Sequence, residues 1–207
     1  MMQKVVHEFV TLFVVLDPIG ALAIFLAVTP KLAPAERTRA AVYGVLYSFG
    51  VLVFFVVAGE LLLIEMGIPL HAFQVAGGIL LLLYGIEMVL GRTAPGENFV
   101  GTTGDIQSLA IYPIAIPAIA GPGSMLTIVL LTDNRAFSVF DQLMTVVVLA
   151  FTLSLILIVL LCANPIMRFI GIGGANVLRR VMGILLCSVA VNMVFVALDT
   201  WLKLQKS

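Results

Sequence analysis

The chain has 207 residues, of which 62% are hydrophobic and only 11% charged, and its formal net charge is zero. A soluble domain usually carries about 25% charged residues, so this composition excludes a soluble protein, and the balanced charge argues against a nucleic-acid partner. The two cysteines, Cys162 and Cys187, both lie in apolar runs, which argues against a disulfide framework and against a metal site built on thiols.

We predict a membrane-spanning helix wherever about 20 apolar residues follow one another. Six stretches meet this condition, at about residues 6–29, 40–63, 72–90, 106–132, 142–163 and 177–200. Turn-forming glycines and prolines and most of the charged residues fall between these stretches. The sequence therefore predicts an all-α membrane protein with six transmembrane helices in a lipid bilayer.

The first predicted span, "FVTLFVVLDPIGALAIFLAVTP", is interrupted by Asp17, Pro18 and Gly20. Proline inside a helix removes a backbone hydrogen bond, whereas proline at the first position of a helix is favoured. Asp is a preferred residue immediately before a helix, so we predict that a half-helix begins at Pro18 and runs to Thr29. Because intramembrane carboxylates usually mark ion or substrate paths, Asp17 is a candidate binding residue as well as a helix cap.

The fourth predicted span carries a second proline motif, "GPGSMLTIVLLTD", which begins with Gly121, Pro122, Gly123 and Ser124. The same argument predicts a half-helix of about a dozen residues from Pro122. Gly121 brings no capping side chain, so the first N–H groups of this half-helix are expected to be free for an anion. Thr127, one turn further along, is another candidate binding residue, although packing between helices would also explain these small residues.

The chain aligns with itself at a shift of about 104 residues. The superposed pairs are Pro18 with Pro122, Glu60 with Asn164 and, at one further residue of shift, Glu87 with Asn192. We therefore predict one domain, residues 1–207, with a first repeat at about 1–90, a linker at 91–105 and a second repeat at about 106–207. Since each repeat has three spans, the second must enter the membrane inverted, a common transporter architecture with its site near the midplane.

Four further polar residues are candidates for binding a coupling ion or for supporting the site: Glu60, Glu87, Asn164 and Asn192. Glu60 lies near the end of a span, so its side chain could equally extend to the membrane interface. Glu87 lies closer still to the end of a span, near Arg92, and an ion pair at the interface is its expected role. Asn192 lies deeper, where a hydrogen bond between helices is its expected role.

The basic residues predict the orientation, because loops rich in Lys and Arg stay in the cytoplasm. Seven of them fall on or beside one set of loops: Lys31, Arg37, Arg39, Arg92, Arg168, Arg179 and Arg180. Four fall on the other set: Lys4, Arg135, Lys203 and Lys206. The excess predicts that both termini face away from the cytoplasm.

Nearly the whole chain resembles the MarC family of integral membrane proteins, through "LDPIGALAIF", "FFVVAGE", "VAGGILLLLYGIEM", "YPIAIPAIAGPGSM" and "LRRVMGILL". The two proline motifs are the most specific part of this resemblance. After Gly20, where the family usually has Asn or Pro, this chain has Ala21 and Ala23. The resemblance implies six spans in a bacterial or archaeal cell (inner) membrane. It also implies small neutral amino acids as substrates, since some family members are described as their transporters.

The repeat, the paired breaks and the resemblance favour a secondary transporter of small neutral amino acids, with alternating access around a midplane site between the broken helices. An ion or small-solute channel and an exporter of other small metabolites are the alternatives. The sequence carries no hydrolase, protease or Walker motif, so we predict neither an enzyme nor a bound cofactor. A proton or sodium gradient would drive transport, and a homo-oligomer is compatible with the sequence.

A zwitterionic substrate needs a partner for each of its charges where the dielectric constant is low. We expect the turn from Gly121 to Ser124 to bind the carboxylate, and Asp17 to face the ammonium group or the coupling ion. On this hypothesis Gly123→Val abolishes binding. Asp17→Asn weakens it by roughly several hundredfold, because losing one partner of a buried charge pair costs about 3–5 kcal/mol.

Overall fold

The computed structural model describes residues 2–91, 106–132 and 138–204, and the elements within these ranges are all helical. The helices are α1 (Met2–Leu16), α2 (Pro18–Val28), α3 (Pro34–Glu65), α4 (Leu70–Leu90), α5 (Ile106–Leu109), α6 (Pro122–Leu131), α7 (Val139–Leu161) and α8 (Ala163–Leu204). An irregular helical segment, Ala110–Ile119, joins α5 to α6. Most of the predicted linker, residues 92–105, lies outside the described residues, as do Arg135 and Lys206.

Five helices of the described chain are long and apolar enough to cross a membrane: Gln3–Val28, Pro34–Glu65, Leu70–Leu90, Val139–Leu161 and Gly173–Lys203. A sixth span results if Ile106–Ile119 and Pro122–Leu131, which are bent by 60°, are counted together. Large apolar side chains such as Val57 and Phe151 are 76% and 57% exposed, as expected for surfaces that lipid covers. The predicted all-helical membrane architecture is confirmed at this level.

Two polar stretches that hydropathy assigned to loops are helical. Helix α3 begins at Pro34, about six residues before the predicted span, and the Glu36 carboxylate accepts the backbone N–H of Ala33 at 2.9 Å. Such a contact at a helix N-terminus stabilises helix in polar sequence. Helix α8 begins at Ala163 and is interrupted at Gly171, whose φ of 67° glycine adopts readily. Hydropathy alone does not register polar helix ends, which is why these predicted spans were too short.

The order of elements repeats along the described chain. A broken span, α1–α2, is followed by the long helices α3 and α4, and a second broken span, α5–α6, is followed by α7 and α8. This order fits three spans in each half. The inverted relation between the halves stays a prediction.

Helices α4 and α8 pack closely through facing glycines. A Cβ atom on Gly85 would lie 2.9 Å from the carbonyl oxygen of Gly183, and one on Gly183 would lie 2.9 Å from the carbonyl oxygen of Gly85. Small residues of this kind let transmembrane backbones approach. Helix α4 also places the Tyr84 hydroxyl beside Asp17 in the first broken span.

Three polar contacts join the halves, two near one end of the spans and one near the other. At the start of α1, Lys4 Nζ lies 2.6 Å from Asp141 Oδ1, and the buried Glu8 accepts a hydrogen bond from Thr145 at 3.1 Å. At the start of α3, Arg37 Nη1 donates to Asn164 Oδ1 at 3.1 Å. Because α3 begins where the first span ends, these contacts lie at opposite membrane faces.

Candidate functional site

At the first break, Asp17 caps the N-terminus of the half-helix that follows it. Asp17 adopts a left-handed conformation, with φ 44° and ψ 74°, and its Oδ1 accepts the backbone N–H of Gly20 at 3.0 Å. Asp tolerates this conformation better than most residues because its short polar side chain bonds locally. Helix α2 then runs from Pro18 to Val28, with Thr29 as its C-cap. The predicted half-helix is confirmed at both ends.

Asp17 is 1% exposed, and its second oxygen, Oδ2, lies 3.3 Å from the hydroxyl of Tyr84, which donates to it. A Cβ atom at Gly20 would collide with the Asp17 carboxylate and lie 3.0 Å from the Tyr84 hydroxyl oxygen. Asp17 is therefore buried against groups from α2 and α4.

The second break has no acidic cap. Gly121 precedes Pro122 in an extended conformation, with φ −81° and ψ 172°, and among the described residues no side chain caps the first turn of α6. The Ser124 hydroxyl donates to the carbonyl oxygens of Ile119 at 2.8 Å and Gly121 at 3.0 Å. Ser124 thus stabilises the bend and leaves the first N–H groups of α6 available. The predicted start at Pro122 is confirmed.

The backbone is already irregular before the second proline motif. Tyr112 and Ile116 have extended dihedral angles inside Ala110–Ile119, each immediately before a proline, Pro113 or Pro117. Proline lacks an N–H donor, and it disfavours helical dihedral angles in the residue before it. The prediction confined the break to Gly121 and Pro122, although "YPIAIPAIAGP" contained the signal for an earlier one.

A cavity of about 320 Å³ lies beside the second break. It is lined by Val15, Ile24, Leu80, Leu81, Tyr84, Glu87, Pro117, Ala118, Ile119, Gly121, Pro122, Gly123 and Ser124. Its volume falls at the small end of typical ligand pockets, about 300–1,000 Å³. The lining is mainly apolar and combines a helix N-terminus with one carboxylate and one phenol. Such a cavity can hold a small molecule that carries both charges.

Five of the predicted site residues line this cavity: Gly121, Pro122, Gly123, Ser124 and Glu87. Glu87 is exposed, so its carboxylate lies at the rim of the cavity. Asp17 reaches the cavity only indirectly, through the hydroxyl of Tyr84. In the described part of the chain, Pro18 and Gly20 belong to the first break and are not among the lining residues.

The remaining predicted residues lie elsewhere. Glu60 lines a separate cavity with His71, Gln74 and Thr200, and Asn164 binds Arg37. Asn192 is exposed and lines a surface cavity between α4 and α8. The hydrogen bond between helices that we expect of it stays a prediction. Thr127 is 3% exposed, and its hydroxyl has no partner among the described residues. The predicted partner of Glu87, Arg92, lies outside the described residues.

Sequence reasoning missed Tyr84, which lines the cavity, and did not single out Arg179, which is not among the lining residues. The charge count places Arg179 on or beside a loop, although it lies within both the predicted span 177–200 and the candidate span Gly173–Lys203. Its Nε atom is buried without a hydrogen-bond partner among the described residues. An ionisable residue inside a span is by default a candidate functional residue, and that signal was present. Tyr84 carries no comparable signal, because tyrosines are common at the ends of spans.

Comparison with known proteins identifies the family. The profile described as "MarC family integral membrane protein" matches residues 2–202. A UPF0056 membrane protein of Methanocaldococcus jannaschii is 32% identical over 195 residues, which cover 93% of this chain and 95% of that protein. The UPF0056 inner membrane protein YhgN of Escherichia coli K12 is 29% identical over 204 residues, which cover 98% and 100%. No solved structure matches the chain. The chain therefore belongs to the MarC family of integral membrane proteins.

Proposed function

We propose that the protein is a secondary transporter of small neutral amino acids and that the cavity beside the second break is its substrate site. One observation carries the proposal: the uncapped N-terminus of α6 and the Glu87 carboxylate line the same cavity of about 320 Å³. A zwitterion is the class of ligand that uses both groups at once. The resemblance to transporters within the family supplies the amino acid as the expected zwitterion.

The carboxylate of the substrate would bind at the first turn of α6. Backbone N–H groups at a helix N-terminus point outward, and the helix dipole adds positive potential there. Gly123 and Ser124 supply these groups, since the Ser124 side chain donates to carbonyl oxygens and does not compete for them. In a cavity with mainly apolar walls such hydrogen bonds are stronger than in water.

The ammonium group of the substrate would face Glu87 at the rim. This assignment revises the expectation that Asp17 faces the ammonium group, because Glu87 lines the cavity, whereas Asp17 is 1% exposed and is not among the lining residues. Asp17 would then act as a positioning residue that orients the Tyr84 hydroxyl in the cavity wall. A coupling proton or sodium ion remains part of the proposal.

The volume of the cavity and its apolar walls favour a small side chain on the substrate. Leu81 and Ile24 line the cavity and are 4% and 2% exposed, so both are held in place by surrounding residues. Long or charged side chains would have to displace them or enter without a polar partner, which is costly. Glycine, alanine and serine are therefore the expected substrates, with leucine and lysine as poor ones.

The test is uptake of labelled amino acids into proteoliposomes with imposed proton and sodium gradients in each direction. We expect saturable uptake of alanine that one gradient accelerates, together with exchange for unlabelled alanine. Flux that rises linearly with concentration and shows no exchange would instead identify a channel. Absence of flux for the whole panel would overturn the proposal.

We also propose an inner-membrane location with both termini outside the cytoplasm. The E. coli relative is named as an inner membrane protein, which supports the location. The basic residues Lys31, Arg37, Arg39 and Arg168 support the orientation. All four lie at the membrane face where the first span ends and α3 begins, and the face rich in Lys and Arg stays in the cytoplasm. A C-terminal alkaline phosphatase fusion should be active and a green fluorescent protein fusion dark. The reverse pattern would overturn the orientation.

A further inference from the structure

Another cavity, of about 200 Å³, lies at the Arg37–Asn164 contact, away from the proposed substrate site. It is lined by Phe25, Leu32, Pro34, Arg37, Thr38, Leu160, Leu161, Ala163 and Asn164. These residues come from the end of α2, the start of α3 and the junction of α7 with α8. Three spans end there, so the cavity lies at the depth of lipid headgroups.

The Arg37 guanidinium is held in place in this cavity, and within the described parts of the chain most of its donors have no hydrogen-bond acceptor. Nη1 donates to Asn164 Oδ1 at 3.1 Å, and the guanidinium carbon lies 5.7 Å from the centre of the Phe25 ring. A guanidinium has five N–H donors, and the hydrogen bond to Asn164 uses one. The neighbouring Glu36 carboxylate accepts the N–H of Ala33. Among the described residues that line the cavity, none is acidic.

The cavity has a polar rim above an apolar floor. Phe25, Leu160 and Ala163 form the floor and are each no more than 2% exposed. Leu161 also lines the cavity and is 47% exposed, so the apolar lining continues onto the outer surface of the helices. A free phosphate would use the rim alone, whereas a phospholipid would use both the rim and this apolar path.

We propose that this cavity binds the phosphate group of an anionic phospholipid, with Arg37 as its ligand. A planar guanidinium binds phosphate oxygens through two parallel hydrogen bonds. The exposed Lys31, Arg39 and Arg168 on the same face add positive potential, which complements the anionic lipids of a cytoplasmic leaflet. The proposal is independent of what the protein transports.

Lipid binding is tested by titrating the delipidated protein in detergent with phosphatidylglycerol or phosphatidylcholine and counting bound lipids by native mass spectrometry. We expect phosphatidylglycerol to bind at least about tenfold more tightly, because it carries a net charge. Arg37→Gln should lower the affinity for phosphatidylglycerol by at least about tenfold. Arg39→Gln, two residues along the same helix and outside the lining, should lose less than about threefold.

Two further variants separate the guanidinium from its contacts. Asn164→Ala removes the partner of Arg37 and leaves the guanidinium, so phosphatidylglycerol affinity should fall less than about threefold. Arg37→Lys keeps the charge but lacks the planar guanidinium, so it should bind phosphatidylglycerol more weakly than wild type does. This variant replaces Arg37→Gln in the test if Arg37→Gln does not fold. Equal losses in Arg37→Gln and Arg39→Gln would overturn the proposal, since diffuse charge would then explain binding. Competition by millimolar sn-glycerol 3-phosphate would overturn it too, in favour of a soluble phosphate ligand.

Discussion

The two breaks start alike and differ in what occupies the first turn of the half-helix. Both half-helices begin at a proline, Pro18 or Pro122. At the first break the Asp17 carboxylate accepts the N–H of Gly20, and the span Gln3–Val28 continues without a sharp bend. At the second break no acid precedes the proline, and the chain bends by 60°. The residue before the proline therefore decides whether the N–H groups are used internally or left for a ligand.

The bend accounts for the cavity at only one of the breaks. Where α2 continues the direction of α1, the Asp17 carboxylate fills the gap and is 1% exposed. Where α6 turns away from the segment Ala110–Ile119, the first turn of α6 lines a cavity with Tyr84 and Glu87. We therefore regard the first break as a structural element that positions Tyr84, and the second as the binding element.

The largest effect is expected from Gly20→Ala. A Cβ atom there collides with the Asp17 carboxylate, so the variant should lose about 3 kcal/mol of unfolding free energy through overpacking and loss of the cap. Thermal unfolding and the yield of monodisperse protein in detergent measure this. Gly50→Ala is the matched control, since a Cβ atom at Gly50 meets nothing within 4 Å in the described structure. Equal stability of the two variants would show that the first break is loosely packed.

Gly123→Ala should have the next largest effect, for a reason that the sequence did not reveal. A Cβ atom at Gly123 would run into the Leu81 side chain on α4, so the substitution should cost about 2 kcal/mol of unfolding free energy. Adding Leu81→Ala removes the obstructing group. The double variant should lose less unfolding free energy than the sum of the losses of the two single variants, which a double-mutant cycle measures. Simple additivity would contradict the α4–α6 contact. Gly123→Val is for the same reason an unsuitable test of ligand binding.

Glu87→Gln should weaken substrate binding by about tenfold, or about 1.4 kcal/mol. The modest size follows from the exposure of Glu87, since solvent screens an ion pair at a rim. The dissociation constant of purified protein for alanine measures the effect. Glu60→Gln is the matched control, because Glu60 lines a different cavity. A loss in Glu60→Gln as large as that in Glu87→Gln would point to a general electrostatic effect.

Ser124→Ala should have the smallest effect, on stability. Its hydroxyl donates to Ile119 and Gly121, so the variant should lose about 1 kcal/mol of unfolding free energy. Substrate affinity should change less than about threefold, because the backbone N–H of residue 124 is retained. A loss of affinity with unchanged stability would instead make the hydroxyl a substrate ligand.

Local rules predicted the half-helices well. Proline at the first helical position and Asp as a cap depend on neighbouring residues only, so the starts at Pro18 and Pro122 followed from the sequence. The contact between Tyr84 and Asp17 joins residues that are 67 positions apart. It depends on how α4 packs against the first span, which the hydrophobic pattern does not specify. The expectation that Asp17 faces the substrate ammonium or the coupling ion was made without this contact, and it stays a prediction.

The 60° bend could not be predicted either, although the prolines that cause it are present in the sequence. Three prolines, Pro113, Pro117 and Pro122, interrupt one apolar stretch, while the first span has only Pro18. Proline count predicts that a helix is disturbed. The direction of the resulting bend depends on tertiary contacts, such as the two hydrogen bonds of Ser124.

The most direct test compares the alanine dissociation constants of Asp17→Asn and Glu87→Gln, measured by calorimetry on folded, purified protein. Asn caps a helix about as well as Asp, so Asp17→Asn keeps the first break closed. We predict that Asp17→Asn changes the dissociation constant by less than about threefold and that Glu87→Gln raises it about tenfold. A loss of roughly several hundredfold in Asp17→Asn, with Glu87→Gln near wild type, would contradict this account and make the first break the substrate site.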